Sequence, residues 1–70
     1  MDRRDLEQFK GKYVAIGVDH IIDPNRLFFN FGTVIGLNDR ILTLKWKRGI
    51  KEILISDIRE IHLDRKRGGS

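Results

Sequence analysis

Residues 32–56 run GTVIGLNDRILTLKWKRGIKEILIS, and their alternation decides the fold. Leu42, Leu44 and Trp46 share one parity, while Ile41, Thr43, Lys45 and Lys47 share the other. That period of two belongs to a strand with one apolar face. Upstream, "LNDR" supplies turn-forming residues; downstream, "RG" marks a tight hairpin into "IKEILIS", the next strand. Ile53, Leu54 and Ile55 are apolar on both faces of that strand, so its second face needs cover from an N-terminal helix or a neighbouring subunit.

Working outward, "YVAIGVDHII" also has period two, with Val14, Ile16, Val18 and Ile22 on one side. "DPNR" is a turn in which Pro24 fixes φ and Asn25 tolerates the left-handed region. "LFFNFGTVIG" forms the second strand, but Phe29 and Phe31 are out of phase with Val34, which predicts a slip or bend at Gly32. "DIREIHL" is a short turn and a fifth strand carrying Ile61 and Leu63 inward. Ahead of the strands, "DRRDLEQFKGK" has the marks of a short helix: Asp2 or Asp5 as cap, Leu6 and Phe9 on one face, Gly11 as stop.

The expected fold is mainly β: a short N-terminal helix and a five-stranded, strongly bent antiparallel barrel. Closure would remove the exposed edges. Residues 1–64 form one domain, and 65–70 are expected to be a disordered basic tail. A chain of 70 residues buries only about 60% of its unfolded surface, so oligomerisation or tight packing is expected to support it.

The second half of the chain also carries the charge. The formal net charge is +4, and all of it lies in residues 36–70, the footprint of a polyanion partner or of simple solvation. Lys45, Lys47, Arg48 and Lys51 surround Trp46. Cations for phosphate and a flat ring for bases are what single-stranded nucleic acid requires. Parity nonetheless sets Trp46 with Leu42 and Leu44, as a core or interface residue, away from Lys45 and Lys47. Phe28, Phe29, Phe31 and Tyr13 are expected mostly in the core. Phe28, on the face of Asn30, is the candidate stacking platform if exposed. Arg65, Lys66 and Arg67 could add phosphate contacts or be a solvated terminus.

His20 is expected to be a partly buried structural residue and His62 a solvent-facing one between Glu60 and Asp64. Cysteine is absent and the two histidines are 42 positions apart, so neither a thiolate nor a paired-imidazole metal site is expected, and no cofactor. No phosphate-binding, dinucleotide or hydrolase motif is present, so an enzyme is not expected. No apolar run is long enough to span a bilayer and MDRRDLEQFK is too charged for a signal peptide, so a soluble, cytoplasmic protein with no membrane partner is expected.

The order helix, Gly-Lys-x-Val strand, Gly-bent strand, turn, strand and paired final strands resembles the Sm-like family, including its Hfq branch, over residues 5 to about 63. "GTVIGLNDRILTLK" is similar to the family's first motif through Gly32, Val34, Leu37 and Asn38. The resemblance implies a barrel of Sm-like or SH3-like type, ring-forming self-association through edge strands and binding of single-stranded RNA. Three positions depart from it. Leu42 stands where archaeal and eukaryotic members have a base-contacting Asn. Leu54 and Ile55 replace their Arg-Gly pair, and Lys51, Glu52 and Ile53 replace the Tyr-Lys-His signature of the Hfq branch. The uridine pocket is therefore not carried over. Asn38, at the motif's Asp position, and Arg40, at a nucleotide-stacking position, keep suitable chemistry. The nucleic-acid candidates are then Asn38, Arg40, Lys45, Lys47, Arg48 and Lys51. Two other readings stay open: a protein-interaction or assembly module, and a small basic barrel for duplex DNA.

Overall fold

The computed structural model describes residues 2–65. The elements are α1 (Arg3–Glu7), β1 (Tyr13–Asp19), β2 (Leu27–Leu37), β3 (Ile41–Trp46), β4 (Gly49–Leu54), a 3₁₀ turn (Ile55–Asp57) and β5 (Ile58–Leu63). The strands form one antiparallel sheet in the order β4-β3-β2-β1-β5. Chain neighbours pair by hairpins until β4; the 3₁₀ turn then carries the chain across to the far side of β1. Among the described residues no pairing joins β4 to β5, so the sheet is open and these two strands are its edges. The expected closure is not made within one chain. The predicted tail lies outside the described residues except for Arg65.

The inner face holds the core. Val14, Ile16, Val34, Leu42 and Leu44 are buried here with Ile53, Ile55 and Ile58. Val14, Ile16, Leu42 and Leu44 lie on the parities the alternation assigned, whereas Ile58 has the opposite parity to the expected Ile61 and Leu63. Burying each such side chain is worth about 1.5–3 kcal/mol. Leu6 joins them with no exposure, and Phe9 packs against the cluster. That contact is what holds α1, because five residues cannot persist as an isolated helix. Asp2 occupies the N-cap position without a side-chain hydrogen bond. Gly11, at φ 78°, reverses the chain, and its N–H donates to Val34 O at 2.7 Å.

β2 differs from expectation. Asn30, Gly32 and Val34 all face inward and are buried, while Phe29, Phe31 and Ile35 are exposed. There is no slip at Gly32. The ladder instead shifts between Val34 and Gly36, leaving Ile35 as the extra residue of a bulge. Gly32 permits a close approach, since a Cβ there would lie 2.5 Å from Lys45 O and 2.8 Å from Leu44 Cγ. β3 crosses β2 so closely that only a hydrogen fits. The phenylalanines are therefore not core. Phe29 and Phe31 lie opposite Gly17 and Ala15 on β1, and the Phe29 ring covers Gly17, where a Cβ would meet its Cε1 at 3.0 Å. Ile22 and Leu63, expected inward, are 86% and 62% exposed, because β1 ends at Asp19 and Leu63 is the last residue of β5.

A second bulge falls between β1 and β5. Glu60 pairs with Gly17 and Ile58 with Val18, so Arg59 is the unpaired residue. Its guanidinium clasps Asp19 through Nε and Nη2, at 2.7–2.9 Å. The hydrogen bonds and charge of Arg59 hold the Asp19 carboxyl below its ordinary value, and those of Asp19 hold Arg59 above its own. A depressed carboxyl contributes stability above its unfolded value, near 3.9, and loses it as pH falls through the lower folded value. Asp19→Asn should thus lower the urea midpoint slightly at pH 7, since both side chains are more than half exposed. The gap to the parent chain should narrow as pH falls below the unfolded carboxyl value, near 3.9. A gap unchanged across that range would mean that the clasp contributes nothing.

Candidate nucleic-acid interface

The hairpin between β3 and β4 brings the distinctive side chains together. Trp46 pairs with Gly49, so Lys47 and Arg48 form a two-residue turn. Neither has positive φ; Gly49, at φ 133°, completes the reversal as glycine does after a type I turn. Lys51 follows two residues after Gly49 and so points to the same inner face as Trp46. Its ammonium lies 4.9 Å from the centroid of the indole, and the Arg48 guanidinium lies 6.0 Å from it. Both are within cation–π range.

Trp46 is half-buried and outside the core cluster. It stands past the end of the apolar row, so the parity that groups it with Leu42 and Leu44 holds while the inference of a core residue does not. Indole and cations share a face after all, through Lys51 and Arg48. Lys45 behaves as parity required: it pairs with Ile50 and Thr33 on the opposite, outer face.

Lys51 Nζ also donates to Asn30 Oδ1 at 2.7 Å. Asn30 is the buried polar residue of the described chain, 9% exposed, set inward on β2. Sequence reasoning did not nominate it. Its signal was available: a lone amide on the apolar parity of a strand needs a partner.

The other two candidates are elsewhere. Asn38 Oδ1 accepts from the N–H groups of Arg40 and Ile41, both at 2.8 Å, and so closes the β2–β3 turn. Arg40 is exposed, and its carbonyl receives Ile55 N–H at 2.8 Å. Asp39 between them binds Arg3 of α1 at 3.0 Å, a bond that raises the Arg3 guanidinium above its ordinary value. This turn is at the far end of β3, roughly 17 Å from the hairpin at about 3.4 Å per residue. The six predicted residues thus divide into a hairpin group (Lys47, Arg48, Lys51), a turn group (Asn38, Arg40) and Lys45 on the outer face.

His20 accepts the N–H groups of Ile22 and Asp23 on Nδ1, at 3.2 and 3.1 Å, which makes it a loop-capping residue. His62 contacts Glu60 at 2.9 Å on the exposed surface. Phe28 is exposed and tilted against His20, centroids 6.5 Å apart; at the β1–β2 tip it lines a hollow with Ile21 and Ile22. Two hollows lie away from the hairpin: about 590 Å³ beside Arg3, Arg4 and Asp39, and about 350 Å³ beside His20, Ile21, Ile22 and Phe28. Among the described residues no group of His, Asp and Glu could hold a metal ion, and no helix is long and apolar enough to cross a membrane. No protein-family model, curated protein or solved structure matches the chain.

Proposed function

We propose that the protein is an Sm-like, ring-forming RNA-binding module that holds single-stranded RNA at the β3–β4 hairpin. The observation that carries this reading is the half-buried Trp46 with Lys51 and Arg48 over its ring. A base stacks on the indole while Arg48 and Lys47 neutralise the flanking phosphates; stacking is worth about 1–3 kcal/mol per base. Lys45 and the Asn38–Arg40 turn reach the same strand only if RNA passes around the edge of the domain. The helix-then-five-strand order and the close crossing at Gly32 agree with the resemblance in the sequence. Completion of the barrel belongs to the assembly in this reading. β4 and β5 are unpaired edges of six residues each, so β4 of one copy can pair with β5 of the next, which also covers Leu54, half exposed in the single chain.

Sedimentation of the free protein, with anisotropy of labelled single-stranded RNA at about 50 and 200 mM salt, tests both parts. Two or three phosphate contacts per subunit give a log–log salt slope of about −1.4 to −2, or roughly 7- to 20-fold weaker binding at the higher salt. A monomer that binds no RNA at either salt would end the proposal.

One observation favours a second reading, an assembly module without specific RNA binding. Ile21 is 99% exposed, and it stands with Ile22 and Phe28 on a tip held in place by His20. Oligomers with no salt-dependent RNA affinity would select that reading. A duplex-DNA role would be selected by duplex outcompeting single strands in the same assay.

A further inference from the structure

The hydrogen-bond chemistry around Trp46 is one-sided. An ammonium only donates, so the Asn30 atom 2.7 Å from Lys51 Nζ must be its oxygen. This settles the orientation of the amide: Oδ1 is engaged by Lys51, and Nδ2 is left as a donor with no partner among the described residues. Lys51 retains two further N–H bonds, and the Trp46 indole N–H has no partner among the described residues either. Glu52, the acid next in sequence, pairs with Thr43 on the outer face. What the inner face offers a flat ring is therefore a stacking surface edged by donors.

We propose, on the footing of the single-stranded RNA reading above, that Trp46, Lys51 and Asn30 form a base site selective for guanine. Guanine's Hoogsteen edge presents two adjacent acceptors, O6 and N7. Adenine on the same edge sets an amino donor beside N7, and cytosine sets an amino group where guanine has O6. Uracil interposes its N3–H between two carbonyls. Each of these would set an N–H against the Lys51 ammonium or the Asn30 Nδ2, donor facing donor. The guanine ring lies against the indole beside the Lys51 ammonium, which stands 4.9 Å from the ring centroid, with O6 and N7 turned to that ammonium and the Asn30 amide. Lys51 is thereby the specificity-determining residue, and Arg48 and Lys47 are left for phosphate.

The test is Trp46 fluorescence quenching, at about 50 mM salt, by a uridine octamer carrying one central variable base. Guanosine and inosine, which share O6 and N7, should bind alike. 7-Deazaguanosine and adenosine should bind roughly 5- to 150-fold more weakly, the span of a well-made two-point base contact. In Lys51→Met the guanosine advantage should disappear while residual binding through Trp46 persists. Equal binding of every octamer to the parent chain would overturn the guanine assignment and leave RNA binding standing. Preference for adenosine or uridine would overturn it as well. Failure of all octamers, by fluorescence and by anisotropy, would overturn the RNA reading itself and the assignment with it.

Discussion

Gly32→Ala is expected to remove a third or more of the protein's stability. The added methyl would stand 2.5 Å from the Lys45 carbonyl oxygen and 2.8 Å from Leu44 Cγ. The first is backbone in the central ladder, and the second belongs to a core side chain with 1% exposure. Neither can swing aside, so β3 must retreat from β2. Retreat separates Thr33 from Lys45 and Val34 from Leu44 and opens the core along its densest line. Overpacking against adaptable side chains costs about 1–3 kcal/mol; against backbone the upper end applies. A domain of this length has about 4–10 kcal/mol in total, so the urea midpoint should fall by a third or more. Gly36→Ala is the matched control. Its methyl would meet the Thr43 side chain at 3.3 Å, a contact that yields by a few tenths of an ångström. Equal midpoints for the two variants would mean that β2 and β3 do not cross so closely at Gly32.

Arg48→Glu combined with Lys51→Glu should remove measurable RNA binding, while Arg40→Glu should leave affinity within about twofold. The first pair reverses both cations held over Trp46 and places carboxylates where phosphate would sit. Lost attraction and new repulsion then add to the loss of Asn30's partner. Trp46→Ala, which removes the stacking surface and keeps the charge, should weaken binding roughly 5- to 150-fold with little change in salt slope. The milder Arg48→Gln should flatten that slope instead, since it removes a counterion-releasing contact without adding repulsion. Arg40 lies at the opposite end of β3, in the turn closed by Asn38. Loss of binding in Arg40→Glu with none in the hairpin variants would move the site to the β2–β3 turn. Arg48→Glu, in the exposed turn, should keep the parent's urea midpoint, whereas Lys51→Glu takes the partner from buried Asn30 and should lower it; the midpoint of each variant separates lost binding from lost folding.

The six candidates show how far a pattern can reach. Lys45 was separable from Trp46 by parity alone, and the structure keeps them on opposite faces. Lys51 was not assignable in this way, because its face depends on how many residues the turn consumes. With Lys47 and Arg48 as the turn and Gly49 opposite Trp46, Lys51 lands on the indole's side. Asn30 joined the site only through a contact 21 residues away in the chain. Asn38 was recognisable as a turn residue, and its amide oxygen is spent on that turn.

What the sequence by itself determined is the local layer. Alternation located all the strands to within a few residues, the DPNR and LNDR segments placed turns, and the spacing of Leu6 and Phe9 placed a helix that docks through them. Val14, Ile16, Leu42 and Leu44 were legible as core because each lies on an unbroken apolar parity. The tertiary structure alone decided which face of β2 is inside. Two phenylalanines outweigh an asparagine and a glycine in hydrophobicity, yet β3 can approach only across Gly32, and that steric demand turns Phe29 and Phe31 outward. It also decided that one chain leaves β4 and β5 unpaired. Edge pairing is a relation between residues far apart in the chain or in different chains, and no local period encodes it.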